Sequence, residues 1–208
     1  MVALLPNKLS GKNERAENDQ YFTPPKLAEL MCREVGRAFN DTIFYPTEVL
    51  DPSAGTGIWG KVWKEIYPHA KITGIDIDPS FNKPEGYSEW LTGNFLTTDF
   101  GNKQFDLVLT NPPFKYAEKF VNKGLEIVKP YGVVAYLLNL TFLGSVGRGK
   151  RLFNNRKNPT NIIVSSRRVD FTGQGSPHTE IAMFVWKKLP EFGKWKTYIE
   201  WVDWKEGS

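Results

Sequence analysis

The segment "TEVLDPSAGTGIWGKVWKEIYP" constrains the fold more than any other part of this chain. Its first residues are typical of a short strand, its last residues have helical spacing, and a glycine-rich turn joins them. Gly55, Gly57 and Gly60 fit the pattern G-x-G-x-x-G, and Asp76 lies 19 residues after Gly57 at the end of the next predicted strand. We therefore predict a βαβ unit whose turn binds a cofactor and whose Asp76 carboxylate binds the ribose hydroxyls.

Strands and helices alternate along most of the remaining chain. "PPKLAELMCREVGRAF" has helical spacing, with Thr23 as its predicted N-cap, whereas "FDLVLT" and "GVVAYLLN" are typical of buried strands. Near the end, "NIIVSSRRV" and "EIAMFVWKK" follow each other without a helix between them. The pattern predicts an α/β fold with a Rossmann-like, doubly wound, mostly parallel sheet of seven strands and a C-terminal antiparallel pair.

Composition limits the remaining choices. The 208 residues suit one domain, which we place at 18–190 between a flexible segment at 1–17 and a tail at 191–208. The hydrophobic fraction is 40% and no apolar run is long enough to span a bilayer, so we expect no membrane association. A single cysteine, Cys32, cannot form an internal disulfide, which favours a reducing cytoplasm. One cysteine and two histidines also argue against a structural zinc site, so we expect no metal. A net charge of +4 permits a nucleic-acid partner without requiring one.

The charge beside the glycine turn bears on the choice of cofactor. Asp51 immediately precedes the turn, where a dinucleotide would place its pyrophosphate. A carboxylate there disfavours a phosphate but suits the positive sulfonium and ammonium groups of S-adenosylmethionine. Asp51 therefore favours S-adenosylmethionine, and an NAD-dependent oxidoreductase remains the alternative.

The second informative feature is "LVLTNPPFKY", where an apolar strand stops at two prolines. Consecutive prolines remove two backbone donors and fix the backbone, and they push the preceding Asn111 towards extended geometry. Phe114 follows at once. Strand termination followed by a core aromatic would explain the pattern alone, but its occurrence beside the glycine turn favours a catalytic motif.

Together these motifs resemble those of the class I S-adenosylmethionine-dependent methyltransferases that modify the exocyclic amine of adenine, in particular small phage-type members. The family patterns Asp-Pro-x-x-Gly-x-Gly and Asn-Pro-Pro-aromatic stand here at 51–57 and 111–114, and the resemblance covers roughly residues 18 to 188. "QYFTPPKLAELM" resembles the segment that closes over the cofactor's methionine end, and "GNF" the one that holds its adenine. The resemblance implies a cofactor site formed by Tyr21, Phe22, Thr23, Pro24, Asp51, Pro52, Ala54, Gly55, Thr56, Gly57, Asp76, Ile77, Asn94, Phe95 and Asn111.

The implied catalytic residues are Asn111, Pro112, Pro113 and Phe114. An adenine amine is a poor nucleophile because its lone pair is delocalised into the ring. The side-chain carbonyl of Asn111 and the backbone carbonyl of Pro112 can hold its two N–H bonds, and the prolines preorganise these acceptors. Phe114 offers a face on which a flipped base can stack. The same motif occurs in enzymes that methylate a glutamine amide.

A basic stretch, "GSVGRGKRLFNNRKN", follows the strand "GVVAYLLN" and so leaves the edge of the sheet where substrates bind. It contains no acidic residue, and its composition suits a phosphate backbone, although a solvated face is the alternative. The predicted nucleic-acid contacts are Arg148, Lys150, Arg151, Arg156 and Lys157.

We therefore predict an enzyme that methylates the exocyclic amine of adenine in nucleic acid, with DNA favoured over RNA. A protein glutamine methyltransferase and a catalytically silent cofactor-binding subunit are the alternatives. Larger DNA adenine methyltransferases carry a separate recognition domain, for which 208 residues leave no room. We accordingly expect loose specificity, a very short recognition site, or a protein partner that supplies recognition.

Overall fold

The structure is a computed structural model that describes residues 23–38, 45–153, 157–171, 179–189 and 196–205. Within these ranges no helix is both long and apolar enough to cross a bilayer. The helices are α1 (Pro25–Arg37), α2 (Ile58–Ile66), α3 (Ala117–Ile127) and α4 (Val146–Arg151). The strands are β1 (Glu48–Asp51), β2 (Lys71–Asp76), β3 (Glu89–Thr92), β4 (Phe105–Thr110), β5 (Val128–Asn139), β6 (Asn161–Ser165), β7 (Ile181–Lys187) and β8 (Tyr198–Val202).

The described strands form one sheet in the order β3-β2-β1-β4-β5-β7-β6-β8. The first five strands of this order pair in parallel, whereas β7 pairs antiparallel with both β5 and β6. The predicted doubly wound, mostly parallel sheet with a C-terminal antiparallel pair is therefore confirmed. The number of strands differs, because the sheet has eight where the sequence predicted seven.

The additional strand, β8, comes from the segment predicted to be a tail. It pairs in parallel with β6, with Ile162 opposite Ile199 and Val164 opposite Trp201. Four of its five residues are exposed, so the strand is held by its backbone ladder more than by burial. Its sequence, YIEWV, is rich in β-forming residues but does not alternate apolar with polar positions, and the prediction of a tail missed it for that reason.

Alternate residues of each central strand enter two separate cores, one on each face of the sheet. On β4, Leu107 and Leu109 pack with α1 and α2, whereas Val108 packs with α3. Helix α2 buries Trp59, Val62 and Trp63 in the first core, and α3 buries Phe120 and Val121 in the second. Each fully buried large apolar side chain contributes about 1.5–3 kcal/mol, so the two cores fix both faces.

The chain reverses its direction of travel across the sheet between β1 and β4. From β1 it passes through α2 to β2 and then to β3 on one side, and it returns to β4 on the other side of β1. Helix α3, which lies on the opposite face of the sheet from α2, then leads to β5. Such a reversal opens a crevice at the carboxyl ends of the two strands, where ligands bind in doubly wound folds.

Candidate active site

The two predicted motifs meet at this crevice. Strand β1 ends at Asp51 and leads into the glycine turn, residues 52–57, while the neighbouring β4 ends at Thr110 and leads into Asn111. The Thr110 hydroxyl oxygen lies 2.7 Å from Asp51 Oδ1 and 3.2 Å from the carbonyl oxygen of Ser53. Thr110 therefore ties the Asn-Pro-Pro-Phe motif to the glycine turn.

The glycine turn has one face towards open space and one towards the protein. Gly55 and Gly57 have φ values of 51° and 80°, a region that favours glycine. A Cβ on Gly55 would meet nothing within 4 Å, whereas one on Gly57 would lie 2.4 Å from the Pro84 ring. A Cβ on Gly60 would lie 2.3 Å from the Tyr87 ring. The first glycine thus leaves room for a ligand, and the other two admit the loop that carries Pro84 and Tyr87.

Asp51 is buried in a network that the protein completes by itself. Its Oδ2 accepts a hydrogen bond from the Tyr87 hydroxyl at 2.7 Å, and that hydroxyl accepts the Gly60 N–H at 3.0 Å. Burial raises the pKa of the Asp51 carboxyl to about 6, although the bonds from Thr110 and Tyr87 act in the opposite direction. A buried carboxyl without a cationic partner favours its neutral form, so a positive group beside it would favour ionisation.

Asp76 lies at the end of β2 and faces the same turn. Its Oδ2 accepts the Gly55 N–H at 2.7 Å and its Oδ1 accepts the Asp78 N–H at 3.0 Å. Each carboxylate oxygen can accept more than one hydrogen bond, so these contacts leave capacity for a ligand hydroxyl. The next residue, Ile77, is 55% exposed and offers an apolar surface beside the carboxylate.

The predicted adenine-binding segment borders Asp76, because the Gly93 N–H donates to the Asp76 carbonyl oxygen at 2.8 Å. The side chains of the two predicted contact residues point to structural roles. Asn94 Oδ1 accepts the Leu96 N–H at 3.0 Å, and Phe95 is buried against Phe120 with ring centroids 4.9 Å apart. A ligand at this edge would therefore meet the backbone and the exposed face of this turn rather than the Phe95 ring.

The Asn-Pro-Pro-Phe motif forms a tight structure after β4. Asn111 is partly buried and its Nδ2 donates to the Thr23 hydroxyl at 3.3 Å. The Pro113 carbonyl oxygen accepts the Tyr116 N–H at 2.9 Å, which closes a single turn of 3-10 helix. The ring of Phe114 is partly buried and meets Phe171 edge to face at 6.4 Å. The motif is thus held by Thr23 on one side and Phe171 on the other, and the Phe114 side chain is partly exposed.

The predicted N-terminal motif reaches the site through Thr23 and Pro24. Helix α1 begins at Pro25 after Pro24, with no side-chain cap, so the prediction that Thr23 caps this helix is wrong. Two consecutive prolines place Thr23 one residue too far from the helix, and its buried hydroxyl accepts from Asn111 instead. Tyr21 and Phe22 lie outside the described residues.

No family model matches the chain. Over 111 residues, 52% of its length, the chain is 31% identical to the type II methyltransferase M.CvrRI of Paramecium bursaria Chlorella virus XZ-6E. The match covers 27% of the viral protein, so the chain spans about a quarter of that relative. A tRNA1(Val) (adenine(37)-N6)-methyltransferase of Porphyromonas gingivalis is 24% identical across 65% of this chain and 71% of that protein. These similarities confirm the resemblance found in the motifs.

Solved structures give the fold. A Pyrococcus horikoshii protein, provisionally described as an RNA methyltransferase, matches 88% of this chain and 93% of its own at 20% identity and a TM-score of 0.63. A Listeria monocytogenes protein, provisionally described as a class I S-adenosylmethionine-dependent methyltransferase, matches 87% of this chain and 65% of its own at 14% identity and a TM-score of 0.63. This chain has the class I methyltransferase fold.

The basic stretch lies beside the crevice of this methyltransferase fold, but several of its cations are engaged within the protein. Arg148 donates to the carbonyl oxygens of Phe142 and Thr141, at 2.7 and 3.0 Å. Arg151 makes two bonds to Glu118, and Lys157 Nζ donates to Asn122 Oδ1 at 2.6 Å. Lys150 is exposed and has no ion pair among the described residues, and Arg156 lies outside them.

Two residues that organise the site of the methyltransferase fold were missed by sequence reasoning. Thr110 was passed over as the last residue of a strand, although its place beside Asn111 and its short polar side chain were visible. Tyr87 follows a loop rich in proline and glycine, and nothing in its local pattern predicts a contact with Asp51. Within the described ranges no group of three or more histidine, cysteine, aspartate and glutamate side chains could hold a metal ion.

Proposed function

We propose that this chain transfers a methyl group from S-adenosylmethionine to the exocyclic amine of adenine in nucleic acid. One observation carries the proposal: the Thr110 hydroxyl lies 2.7 Å from Asp51 Oδ1, which holds Asn111 beside the glycine turn. A methyl donor and an amine must be brought within reach of each other, and a rigid link between their binding motifs supports this.

The residues of the glycine turn fit the cofactor. Gly55 leaves open space over the turn, and the exposed Ile77 adjoins the Asp76 carboxylate at the end of β2. Asp76 would accept the ribose hydroxyls, and Ile77 would pack against the adenine ring. The buried Asp51 suits a neighbouring positive group, because ionisation of its carboxyl needs such a partner. When bound, S-adenosylmethionine supplies an electrophilic methyl group.

Asn111 and Pro112 would orient the substrate amine. The side-chain carbonyl of Asn111 and the backbone carbonyl of Pro112 are acceptors for two N–H bonds, and holding both turns the nitrogen lone pair out of the ring plane. The hydrogen bond from Asn111 Nδ2 to the Thr23 hydroxyl supports this role, because it fixes the orientation of the amide at the end of β4. The partly buried Phe114 would stack on the flipped base.

DNA is the substrate that we propose first, because the motif resemblance is to the adenine family that includes DNA enzymes and the viral relative is named a type II methyltransferase. RNA is the second candidate, because the Porphyromonas gingivalis relative is named a tRNA adenine methyltransferase. The exposed cation Lys150 beside the crevice supports either polyanion over a protein glutamine.

The test is transfer of a labelled methyl group to duplex DNA, single-stranded DNA, RNA and a protein mixture, followed by digestion and nucleoside analysis. We expect the label in N6-methyladenine, and the polymer that accepts it decides between DNA and RNA. Label in cytosine or in glutamine would overturn the adenine assignment. Binding of S-adenosylmethionine without transfer to any polymer would identify a silent cofactor-binding subunit.

We further propose that this chain recognises a very short sequence by itself or relies on a protein partner for longer recognition. Sequencing of the methylated adenines would give the flanking context. A loose or very short context supports the proposal, whereas a long defined context methylated by the isolated chain would contradict it.

A further inference from the structure

A cationic aromatic surface follows the Asn-Pro-Pro-Phe motif directly. Lys115, Tyr116 and Lys119 are all exposed, and Tyr116 is 41% accessible. The ammonium groups of Lys115 and Lys119 lie 5.0 and 5.9 Å from the centroid of the Tyr116 ring. We call these three side chains the Lys-Tyr-Lys surface. Two cations gathered on one exposed ring repel each other, so the arrangement favours an anionic partner.

No carboxylate in the described part of the chain forms an ion pair with either of these lysines. Glu118 is the acidic residue between them in sequence, and Arg151 occupies it with bonds of 2.6 and 2.8 Å. The Arg151 guanidinium lowers the pKa of the Glu118 carboxyl, so the pair stays charged and internally neutralised. The Lys-Tyr-Lys surface therefore keeps its positive charge.

The same pair holds the basic stretch against α3. Glu118 binds Arg151 of α4, and one turn further along α3 the Asn122 side chain accepts from Lys157. Lys150 of α4 is exposed beside these contacts. These contacts place α4 beside the first turns of α3, where Lys119 of the Lys-Tyr-Lys surface adjoins Glu118 in the chain.

The position of this face is rigid relative to the candidate catalytic residues. The Tyr116 N–H donates to the Pro113 carbonyl oxygen at 2.9 Å, so the backbone of Tyr116 is fixed relative to the motif. Phosphate contacts set the register of a nucleic acid on a protein, and surfaces that combine cations with an aromatic ring suit a single strand. Because this face directly follows Asn111–Phe114 in the chain, a strand whose adenine enters the site would lie close to it.

We propose that the Lys-Tyr-Lys surface binds the nucleic-acid backbone next to the target adenine, with Lys115 and Lys119 each contacting a phosphate. The inference rests on the proposed function for the identity of the target, but the surface can be tested without any methyl transfer. Tyr116 supplies a ring for a neighbouring base or sugar.

The experiment compares the salt dependence of binding for a double variant, Lys115→Ala with Lys119→Ala, and for the wild type. Fluorescence anisotropy would follow a labelled single-stranded and a labelled duplex oligonucleotide between 50 and 200 mM salt. Loss of two phosphate contacts should reduce the slope of log affinity against log salt by about 1.4 on a single strand and about 1.8 on a duplex.

A matched control removes two exposed lysines elsewhere, with Lys61→Ala on α2, which packs on the other face of the sheet, and Lys196→Ala before the edge strand β8. The control changes net charge equally and should keep the wild-type slope. A second variant, Lys115→Arg with Lys119→Arg, retains both charges and should also keep it. If the alanine variant proved unstable, a normal slope in the arginine variant and a reduced one in Lys115→Gln with Lys119→Gln would carry the same test.

The outcomes separate this inference from the proposed reaction. Equal slopes for the alanine variant and the wild type would overturn the surface, even where the wild type methylates adenine. A reduced slope in the alanine variant alone would support the surface, even where no methyl transfer is found. The proposal would also be overturned if the wild type showed no salt-dependent binding to either oligonucleotide. A slope reduced equally in the control variant would overturn it too, because the effect would then come from net charge and not from the Lys-Tyr-Lys surface.

Discussion

The carboxyl edge of the sheet has two halves, which differ in how deeply their polar side chains are buried and in whether those side chains bond to one another. In the cofactor half, around Asp51 and Tyr87, polar groups are buried and bonded to one another. In the substrate half, around Asn111, Tyr116 and α4, the side chains are partly buried or exposed and the cations face solvent or surface acids. One half is set before any ligand arrives, and the other has capacity left for a large polyanion.

This difference implies that substitutions in the two halves should change different quantities. A change in the cofactor half disturbs a buried network, so it should alter stability and its pH dependence. A change in the substrate half should alter turnover or salt dependence and leave the fold intact. Each variant below breaks or sharpens that separation.

The largest effect should come from Asn111→Ala. If Asn111 orients the amine mainly in the transition state, turnover should fall by about two to three orders of magnitude, as for other preorganised groups. The affinity for S-adenosylmethionine should change far less. Single-turnover kinetics and calorimetry measure the two quantities, and Asn102→Ala, an exposed residue in the loop before β4, is the control. Loss of cofactor affinity in proportion to turnover would place Asn111 in the cofactor half instead.

The next effect is a pH dependence that Asp51 should impose on stability. Its folded-state pKa is about 6, above the ordinary value near 3.9, because burial disfavours the charged form. The folded state therefore holds the proton more tightly, and its contribution is complete below about pH 4 and is lost as the pH rises to about 6. The loss is on the order of 3 kcal/mol at most.

Asp51→Asn should remove this dependence, because the amide does not titrate in this range. Denaturant unfolding at pH 4, 5, 6 and 7 would give the free energy of unfolding of both proteins, and the difference between them isolates Asp51 from other titrating groups. A wild-type curve parallel to that of the variant between pH 4 and pH 6 would contradict the assignment.

The motifs of both halves were predictable from the sequence, because their chemistry needs particular residues in order along the chain. The contacts between distant segments were not. Tyr87 reaches Asp51 across 36 positions, and the partner of Arg151 depends on where α3 and α4 meet. The strand β8 is rich in β-forming residues but lacks apolar–polar alternation, so it was assigned to a tail. Thr23 was predicted as the cap because threonine is a preferred N-cap residue, whereas Pro24 occupies that position. Sequence reasoning therefore found the two motifs and missed the contacts that position them.

A smaller effect should separate glycines that differ only in their surroundings. Gly60→Ala places a Cβ 2.3 Å from the Tyr87 ring, so we expect the free energy of unfolding to fall by about 1–3 kcal/mol from overpacking. Gly149→Ala in α4 meets nothing within 4 Å and should be neutral or stabilising by up to about 1 kcal/mol, since alanine favours a helix. Both glycines are helical, so the comparison cancels helix propensity. If both substitutions changed the free energy of unfolding in urea equally, the loop that carries Tyr87 would have to move to admit the Cβ. The cofactor half would then be less rigid than its hydrogen bonds suggest.

The smallest effect tests the substrate half from within, by comparing two neighbouring cations of α4. Arg151 is committed to Glu118, whereas Lys150 has no ion pair among the described residues, although the sequence predicts both as phosphate contacts. Lys150→Gln should reduce the slope of log affinity against log salt by about 0.7–0.9. Between 50 and 200 mM salt, the variant should therefore lose roughly threefold less affinity than the wild type. Arg151→Gln should leave the slope near that of the wild type, because a cation already paired within the protein releases no phosphate counterion. Anisotropy on one labelled oligonucleotide measures both variants, with equal loss of net charge. A reduction in Arg151→Gln as large as that in Lys150→Gln would mean that a phosphate displaces Glu118 on binding. The pair would then be part of the nucleic-acid contact rather than a contact that only positions α4.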